Sequence, residues 1–305
     1  DGGGGFVGGV VIDAAVNVIS ITATSGYTGA GANDGHIDNA TNDQTIAVSG
    51  NVTLDNDIVS MGDATWTVSG SWDSIDITTM NRNASTVVMN GTGVNFADRT
   101  SQPIDKLTIA NGASVTVTAN SVINDNLDVQ GTFTVASGVY FETWYGTASS
   151  VSGTITGSNG TFRVARGALT TMSGTIDVAI FEVWGGQAAT YITSIAPAQY
   201  DSATVTIKTY DVSGEVNFLN GNYIFTGNVN FNNATTTKSI TFDNSANPNF
   251  EFRGNVDVST IGAGTVNWTK GAGTITLGNN PSNGTQTINF NGKSIEDLVV
   301  NAPGD

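Results

Sequence analysis

Acidic side chains are the residues of this sequence whose spacing could support catalysis. Two carboxyl groups about 6.5–9.5 Å apart can hydrolyse a glycosidic bond, one as the acid and the other as the base. A β-structured surface that displays such a pair could therefore cleave a polysaccharide by hydrolysis or elimination. The candidate pairs are Asp73 with Asp76, Asp55 with Asp57, and Glu142 with Glu182.

The glutamate pair comes with an argument against catalysis. If Glu142 and Glu182 lie two coils apart in a stacked structure, their separation is about 9–10 Å. Arg163 would then stand between them and lower the tendency of both acids to hold a proton. The two aspartate pairs lack a surrounding cluster of aromatic and basic groups. We therefore assign no catalytic residue and expect a protein that is not an enzyme, with polysaccharide lyase or hydrolase activity as the alternative.

Metal and nucleophile chemistry has few candidates. The chain contains one histidine, His36, and no cysteine, which excludes the common zinc sites and cysteine nucleophiles. We interpret His36 as an ordinary residue of a polar turn. Oxygen-rich turns at Asn124–Asp128 and Asp55–Asp57 could hold calcium, but neither has EF-hand spacing. We assign no metal and no cofactor, and keep calcium as the alternative.

Charge and hydropathy exclude two classes of partner. The formal net charge is −16, and the ten basic residues are scattered along 305 residues, so the sequence has no basic stripe for a nucleic-acid backbone. The longest apolar stretch, residues 10–21, is interrupted by Asp13 and Asn17 and is too short to cross a bilayer as a helix. We expect no nucleic acid and no membrane insertion.

The elements that must position any site are short strands. The chain is rich in Gly, Thr and Asn and poor in helix-forming Lys and Glu, which excludes a mostly helical protein. Asn-Gly pairs, whose left-handed backbone suits sharp corners, separate runs in which apolar and polar residues alternate. Such runs include Thr65–Val68, Ser114–Thr118, Thr132–Val135, Thr204–Ile207 and Gly273–Leu277.

Two marker series in the middle of the chain repeat with nearly the same period. A spacing of about 21 residues leaves room for three short strands and three corners, which is the geometry of a parallel β-helix. The sequence therefore predicts an all-β fold, a parallel β-helix (β-solenoid) with coils of about 21 residues. One series is Gly131, Gly153 and Gly174, and the other is Phe141, Phe162 and Phe181.

In-register stacking of these coils predicts an outward ladder of alternating charge. Glu142, Arg163 and Glu182 each follow a marker phenylalanine, and Ala165 would lie between Trp144 and Trp184 of the neighbouring coils. With the phenylalanines inside and the ladder solvated, Phe162→Asp is expected to unfold the rod and Arg163→Ala to be nearly silent.

The period loosens toward the C-terminus. A Gly-x-Val start recurs at Gly214, Gly227, Gly254 and Gly264, at uneven intervals, which predicts irregular coil lengths there. Residues 1–44 are interpreted as a Gly-rich N-terminal arm with the first strands, and residues 45–305 as the β-solenoid rod.

The two ends of the chain carry their own expectations. The sequence opens without Met, and residues 295–300 echo residues 104–109, which are followed directly by another strand. We therefore expect either a processed or trimmed chain that stops where another coil is expected, or an open end that a neighbouring subunit covers.

Repeated Thr-x-Thr runs raise one further alternative, a flat threonine face that binds ice. Such a face needs the same run on consecutive coils. The coil that begins at Gly174 instead offers Thr175-Ile176-Asp177, which places an acid in the row and argues against this alternative.

Four segments together define a family resemblance, which extends over most of residues 45–305. They resemble the Gly/Thr/Asn-rich β-solenoid regions of tailed-phage fibre and appendage proteins and of large microbial surface adhesins. The resemblance describes a way of building coils, so it implies a structural role outside the cell or on a virion surface and no particular site residue. The segments are Ala64–Asp73, Asn81–Gly93, Gly284–Phe290 and Ile295–Leu298.

Three functional hypotheses follow from the repeat and the resemblance. The first is a non-enzymatic rod or coat element of a virion, such as a fibre, appendage or decoration protein, or of a cell-surface filament, that self-associates. The second is a tailspike-like polysaccharide lyase or hydrolase. The third is an adhesin segment whose outward Trp144 and Trp184 bind a host-surface glycan.

Overall fold

The computed structural model describes residues 9–24, 36–55, 58–187, 193–209, 213–233, 237–261, 263–278 and 285–301. Within these ranges the only regular secondary structure is β, in thirty-five strands. In chain order they are β1 (Gly9–Val11), β2 (Val16–Val18), β3 (Ile21–Thr24), β4 (His36–Asp38), β5 (Ile46–Val48), β6 (Val52–Asp55), β7 (Ile58–Ser60), β8 (Thr65–Val68), β9 (Trp72–Asp76), β10 (Thr79–Asn81), β11 (Thr86–Met89), β12 (Thr92–Asp98), β13 (Lys106–Ile109), β14 (Ser114–Val117), β15 (Ser121–Ile123), β16 (Leu127–Val129), β17 (Thr132–Val135) and β18 (Tyr140–Trp144). They continue as β19 (Ser149–Val151), β20 (Thr154–Ala165), β21 (Ala168–Met172), β22 (Thr175–Gln187), β23 (Thr193–Ile195), β24 (Gln199–Tyr200), β25 (Thr204–Thr209), β26 (Gly214–Phe218), β27 (Asn222–Phe225), β28 (Asn228–Asn232), β29 (Ile240–Asp243), β30 (Asn249–Phe252), β31 (Val256–Ser259), β32 (Val266–Thr269), β33 (Thr274–Leu277), β34 (Ile288–Asn289) and β35 (Asp297–Val300).

Apart from a short antiparallel pairing between β22 and β26, the described strands stack in parallel as a β-solenoid of about 11 turns with coils about 22 residues apart, which confirms the predicted fold class. Each coil has three faces, numbered in chain order. Face 1 contains β1, β4, β7 and β10, then β15, β18, the second parts of β20 and β22, β25, β28, β31 and β34. Face 2 contains β2, β5, β8, β11, β13, β16, β19, β21, β23, β26, β29 and β32. Face 3 contains β3, β6, β9, β12, β14, β17, the first parts of β20 and β22, β24, β27, β30, β33 and β35.

The marker series predicted the register of the middle coils. Phe141 pairs with Phe162, and Phe162 pairs with Phe181. Coils after β22 are longer, since Val229 pairs with Val256, and Val256 pairs with the still more distant Ile288. The prediction of irregular coil lengths toward the C-terminus is therefore confirmed.

The uneven Gly-x-Val spacing arises because that series mixes two faces. Gly214 and Gly264 stand at strands of face 2, whereas Gly227 and Gly254 precede strands of face 1. Along face 2 the spacing is regular at this point, because Gly214 pairs with Ile240, and Ile240 pairs with Val266 after an equal interval along the chain.

One apolar core runs through the whole stack. In most of the described strands alternate residues point inward and are buried, and apolar burial drives this arrangement, whereas β35 is exposed along its whole length. Aromatic rings continue through the core at centroid separations of 5.4–6.4 Å and interplanar angles of 9–16°. The stacked rings are Phe141, Phe162, Phe181, Tyr200, Phe225 and Phe252.

The marker glycines form a column at one corner, where successive coils approach most closely. A Cβ at Gly153 would overlap the carbonyl oxygen of Gly131, and a Cβ at Gly174 would overlap that of Gly153. Backbone atoms cannot move aside as a flexible side chain can, so the corner requires glycine. This is the physical reason for the Gly-Thr marker.

At the N-terminal end, β1, β2 and β3 already form a coil, which pairs in parallel with β4, β5 and β6. Gly2–Gly5 of the Gly-rich opening lie outside the described residues. His36 begins strand β4 and pairs with Gly9 and Ile58, so its interpretation as a turn residue is wrong.

Two further sequence patterns are resolved by the register. Thr116, Thr134 and Thr156 stack on consecutive coils of face 3, and Asp177 is the next residue of that row, as expected. The echo between residues 104–109 and 295–300 falls on different faces, because β13 belongs to face 2 and β35 to face 3.

Candidate functional surface

The candidate surface lies on face 1, where four consecutive coils present β18, β20, β22 and β25. The register pairs Glu142 with Arg163 and Arg163 with Glu182, so the three side chains stand one above another. Neighbouring Phe141 and Phe162 point into the core. The charge ladder expected from the sequence is therefore present.

The three charged groups form a continuous network of ion pairs. Nη1 of Arg163 lies 3.0 Å from Oε2 of Glu142, and Nε of Arg163 lies 2.5 Å from Oε2 of Glu182. Lys208, on the next coil, places its Nζ 2.7 Å from the other oxygen of Glu182. The side chains of Glu142, Arg163 and Glu182 are only 5%, 16% and 11% exposed, so the expectation of a solvated ladder is wrong.

Aromatic rings shield this network from water. The Arg163 guanidinium lies 4.7 Å from the ring centroid of Tyr140 and 4.3 Å from that of Trp184. Trp144 donates its indole N–H to Glu142. Cations over aromatic faces are attracted by the ring quadrupole, more strongly where water is excluded. We call the assembly the Arg163 cluster: Tyr140, Glu142, Trp144, Tyr145, Arg163, Arg166, Glu182, Trp184 and Lys208.

Ala165 shows how closely the cluster packs. Its register partners are Trp144 on one side and Trp184 on the other, as the sequence predicted. Although it points outward, Ala165 is fully buried. A larger residue at this position would compete with the two indoles for the same space.

The electrostatics of the Arg163 cluster argue against acid–base catalysis by its glutamates. Burial alone would lower the pKa of the Arg163 guanidinium, but the attraction of Glu182 and hydrogen bonds to Glu142 and Glu182 outweigh it, and the pKa is raised. Arg163 therefore stays charged and occupies oxygens of both carboxylates. Neither glutamate presents a free oxygen pair to a glycosidic bond.

A second feature of the Arg163 cluster is the corner that follows its paired strands. Tyr145 and Arg166 directly follow Trp144 and Ala165, and both have left-handed backbones with φ of 54° and 56°. Nη1 of Arg166 donates to the Tyr145 hydroxyl over 2.6 Å, and the guanidinium lies 5.7 Å from that ring's centroid. The two side chains thus form a stacked pair beside the charge network.

Of the aspartates proposed as catalytic candidates, the structure describes Asp55, Asp73 and Asp76. Asp73 and Asp76 are both exposed on β9, and Asp76 pairs in register with Asp55. Oδ1 of Asp73 accepts the backbone N–H of Ile75. Asp57 lies outside the described residues. Among the residues that the structure describes, no group of three acidic or histidine side chains could hold a metal ion.

The calcium candidate at Asn124–Asp128 is tied to neighbouring coils. Oδ1 of Asn126 accepts the N–H of Ala148 over 2.7 Å, and Oδ1 of Asp128 accepts the Ser150 hydroxyl over 2.5 Å. Burial and the charge of Asp105 raise the pKa of Asp125, although Lys106 opposes them from 3.7 Å. The side-chain oxygens of Asn126 and Asp128 therefore hold neighbouring coils together through hydrogen bonds.

A buried carboxyl group that the sequence did not reveal lies where face 1 is interrupted at residues 99–105. Asp98 is completely buried at the end of β12. Its Oδ1 lies 2.5 Å from the Ser74 hydroxyl, which also accepts the indole N–H of Trp72, and its Oδ2 accepts the N–H of Ile104 over 2.9 Å. Burial raises the pKa of Asp98 to about 7, although the hydrogen bonds from Ser74, Ile104 and Arg99 oppose the shift.

Asp98 predicts a pH dependence of folding. The folded carboxyl holds its proton to about pH 7, whereas the unfolded one loses it near 3.8, so its contribution is fully present below about pH 4 and falls until about pH 7. Asp98→Asn keeps the shape and removes the titration. We expect the free energy of unfolding of D98N, relative to wild type, to rise by on the order of 2–4 kcal/mol between pH 4 and pH 8.

Urea unfolding of both proteins across this pH range measures the difference. The other carboxyl groups titrate in the same way in both proteins, so their effects cancel when the free energy of unfolding of wild type is subtracted from that of D98N. A difference that stays constant with pH would show that Asp98 does not retain its proton in the fold.

Comparison with known proteins adds no identification, since no family model, curated protein or solved structure matches the chain. Among the described residues no helix is long and apolar enough to cross a membrane.

Proposed function

We propose that this chain is a non-enzymatic structural protein, a β-solenoid rod or coat element of a virion appendage or cell-surface filament that associates with its own copies. The observation that carries the proposal is the single core, which continues through about 11 turns. Each coil is hydrogen-bonded to the coils on both sides, so bending the solenoid would break backbone hydrogen bonds between coils. At about 4.8 Å per coil, the stack extends on the order of 50 Å.

The outer surface supports a structural role as well. Many outward polar side chains bond to the next coil rather than lining a cleft. Oδ1 of Asn228 accepts the N–H of Asn255 over 3.0 Å, and Oδ1 of Asn255 accepts that of Thr287 over 2.8 Å. Such side chains reinforce the stack from outside. The resemblance to fibre and adhesin solenoids supports a location outside the cell or on a virion surface.

Sedimentation velocity across a concentration series tests self-association. We expect the weight-average mass to rise with concentration, through discrete oligomers or into fibres. A single species with the mass of one 31.3 kDa chain at all concentrations would contradict the proposal.

A parallel assay separates the structural role from the enzymatic alternative. We expect no reducing sugar and no unsaturated product from capsular or marine polysaccharides. Product formation that is lost in Glu142→Gln or Asp73→Asn would instead establish the lyase or hydrolase hypothesis.

A further inference from the structure

The two ends of the solenoid present strands that are paired along one edge only. Among the described strands, β1 pairs only with β4, and β3 pairs only with β6. At the other end, β34 pairs only with β31, and β35 pairs only with β33. An unpaired edge is a template for a further strand, because its backbone N–H and C=O groups still need partners. Faces 1 and 3 therefore each offer such an edge at both ends of the described stack.

The side chains of these end coils are unusually exposed. Val10 lies in the same inward row as Val59, yet Val10 is 63% exposed and Val59 is fully buried. Val300 lies in the same row as the buried Phe252 and is 65% exposed. Among the described residues, nine large hydrophobic side chains are exposed, and six of them belong to the two ends. The six are Val10, Val11, Ile19, Leu298, Val299 and Val300.

These ends do not have the character of solvent-facing caps. A repeat protein needs terminal repeats with a polar outer face to remain soluble as a single chain. The end coils described here show valine, isoleucine and leucine side chains instead. Exposed apolar surface of this kind marks an interaction site.

Strand direction and side-chain pattern allow a second copy to continue the stack. The pairings at both ends are parallel, so the last coil of one rod and the first coil of another run in the same direction when the rods meet head to tail. Strands β3 and β35 both belong to face 3, and both have four residues. Their inward positions are Ile21 and Ala23 in β3, and Leu298 and Val300 in β35. Pairing β3 with β35 would cover all four side chains.

The charges at the two ends favour the same arrangement. Asp13 is exposed and follows the face 1 strand of the first coil, β1, and Lys293 is partly exposed and follows the face 1 strand of the last coil, β34. When two rods stack head to tail, these opposite charges come to the same side of the contact. Residues 9–24 contain no other charged residue, so a chain of net charge −16 brings little like charge into this contact.

We propose that copies of this chain stack end to end, so that β1 and β3 of one rod pair in parallel with β34 and β35 of the next. This contact joins two different surfaces, so every added copy leaves one unoccupied end of each kind and the filament can grow. The inference rests on the proposed self-association and specifies its surface. Association through the sides of the rods would keep the proposed function and contradict this inference.

A charge placed at either end tests the contact. Val10→Glu alters only the first coil, and Val300→Glu alters only the last strand. Each substitution puts a carboxylate into the contact without a partner, so each variant alone should associate on the order of a hundredfold more weakly than wild type. Sedimentation velocity across a concentration series measures the change. Ile180→Glu, at an apolar position 38% exposed on the side of the rod, is the matched control and should associate like wild type.

Mixing the two variants gives the most specific result. V10E keeps an unaltered last coil, and V300E keeps an unaltered first coil. An equimolar mixture should therefore form particles of two chains and stop there, because each pair has one unaltered contact and no further end that can pair. Association through the sides of the rods, or between like ends, does not produce this behaviour.

Melting curves separate weaker association from misfolding. Val10 and Val300 are mostly exposed in the single chain, so both variants should melt within about 3 °C of wild type. If either is less stable, Asp13→Lys and Lys293→Asp take their places in the mixing experiment. Each charge reversal alone should weaken association about tenfold, and the double variant should regain it.

The outcomes distinguish this inference from the proposed function. If wild type stays a single chain at every concentration, both are contradicted. If wild type associates and the folded V10E and V300E variants associate equally well, the rods join through their sides, and only the end-to-end contact is wrong. Pairs formed by V10E alone or by V300E alone would show that like ends join, which also overturns the head-to-tail arrangement.

Discussion

Phe162→Asp is expected to abolish cooperative folding of the middle coils. Phe162 is 1% exposed, and its ring stacks between Phe141 at 6.4 Å and Phe181 at 5.6 Å. Truncating a buried phenylalanine costs about 3–5 kcal/mol, and burying a carboxyl group without a hydrogen-bond partner adds several more. Their sum approaches the whole stability of a typical domain, about 5–15 kcal/mol.

Circular dichroism melting and limited proteolysis would measure this effect. We expect F162D to lose its sharp transition and to be cleaved within the middle coils. Thr161→Asp is the matched control, because it introduces the same charge one position away, where the side chain points outward, and should melt close to wild type. An F162D protein that melts like T161D would show that the register places residue 162 outside the core.

Arg163→Ala is expected to destabilise the rod by about 3–5 kcal/mol. The substitution leaves Glu142 and Glu182 almost buried with their main cation removed, and it also removes the contact with Trp184. Removing one partner of a buried ion pair is costly, because the charge of the other partner stays buried without an opposite charge beside it. The sequence suggested a nearly silent substitution, and the burial of the network reverses that expectation.

A charge-matched background distinguishes the network from simple packing. In a Glu142→Gln, Glu182→Gln protein, no carboxylate is left uncompensated, so adding Arg163→Ala should cost much less than it does in wild type. Arg253→Ala, which breaks the half-exposed pair with Glu251 at 2.6 Å, should cost less than about 1 kcal/mol. Urea unfolding gives all the values, and equal costs of Arg163→Ala in both backgrounds would contradict the proposed role of Arg163.

The middle coils could be predicted from sequence because two physical constraints repeat there with the same period. Gly153 must be glycine where coils touch, and Phe162 must be apolar where the core passes. Toward the C-terminus the number of residues per coil increases, so the markers on one face are no longer separated by a constant number of residues. Gly214 and Gly227 look like successive members of one series although they belong to different faces.

The candidate surface shows where sequence analysis reaches its limit. The order Glu142, Arg163, Glu182 follows from the period alone, but burial of the ladder depends on how Tyr140 and Trp184 fold over it from neighbouring coils. The left-handed backbone of Tyr145 could not be predicted from the sequence, because tyrosine usually avoids this conformation. The sequence also does not distinguish Asp98 from other aspartates at strand ends. Its environment depends on the fold, which brings the backbone N–H of Ile104 to its carboxylate.

Negative-stain electron microscopy of the purified chain over a concentration series tests the central claim, that this solenoid is a self-associating rod. We expect short, straight particles at low concentration, on the order of 50 Å along the stack, that join into longer rods, bundles or fibres as the concentration rises. Isolated particles of constant size at every concentration would contradict the structural role.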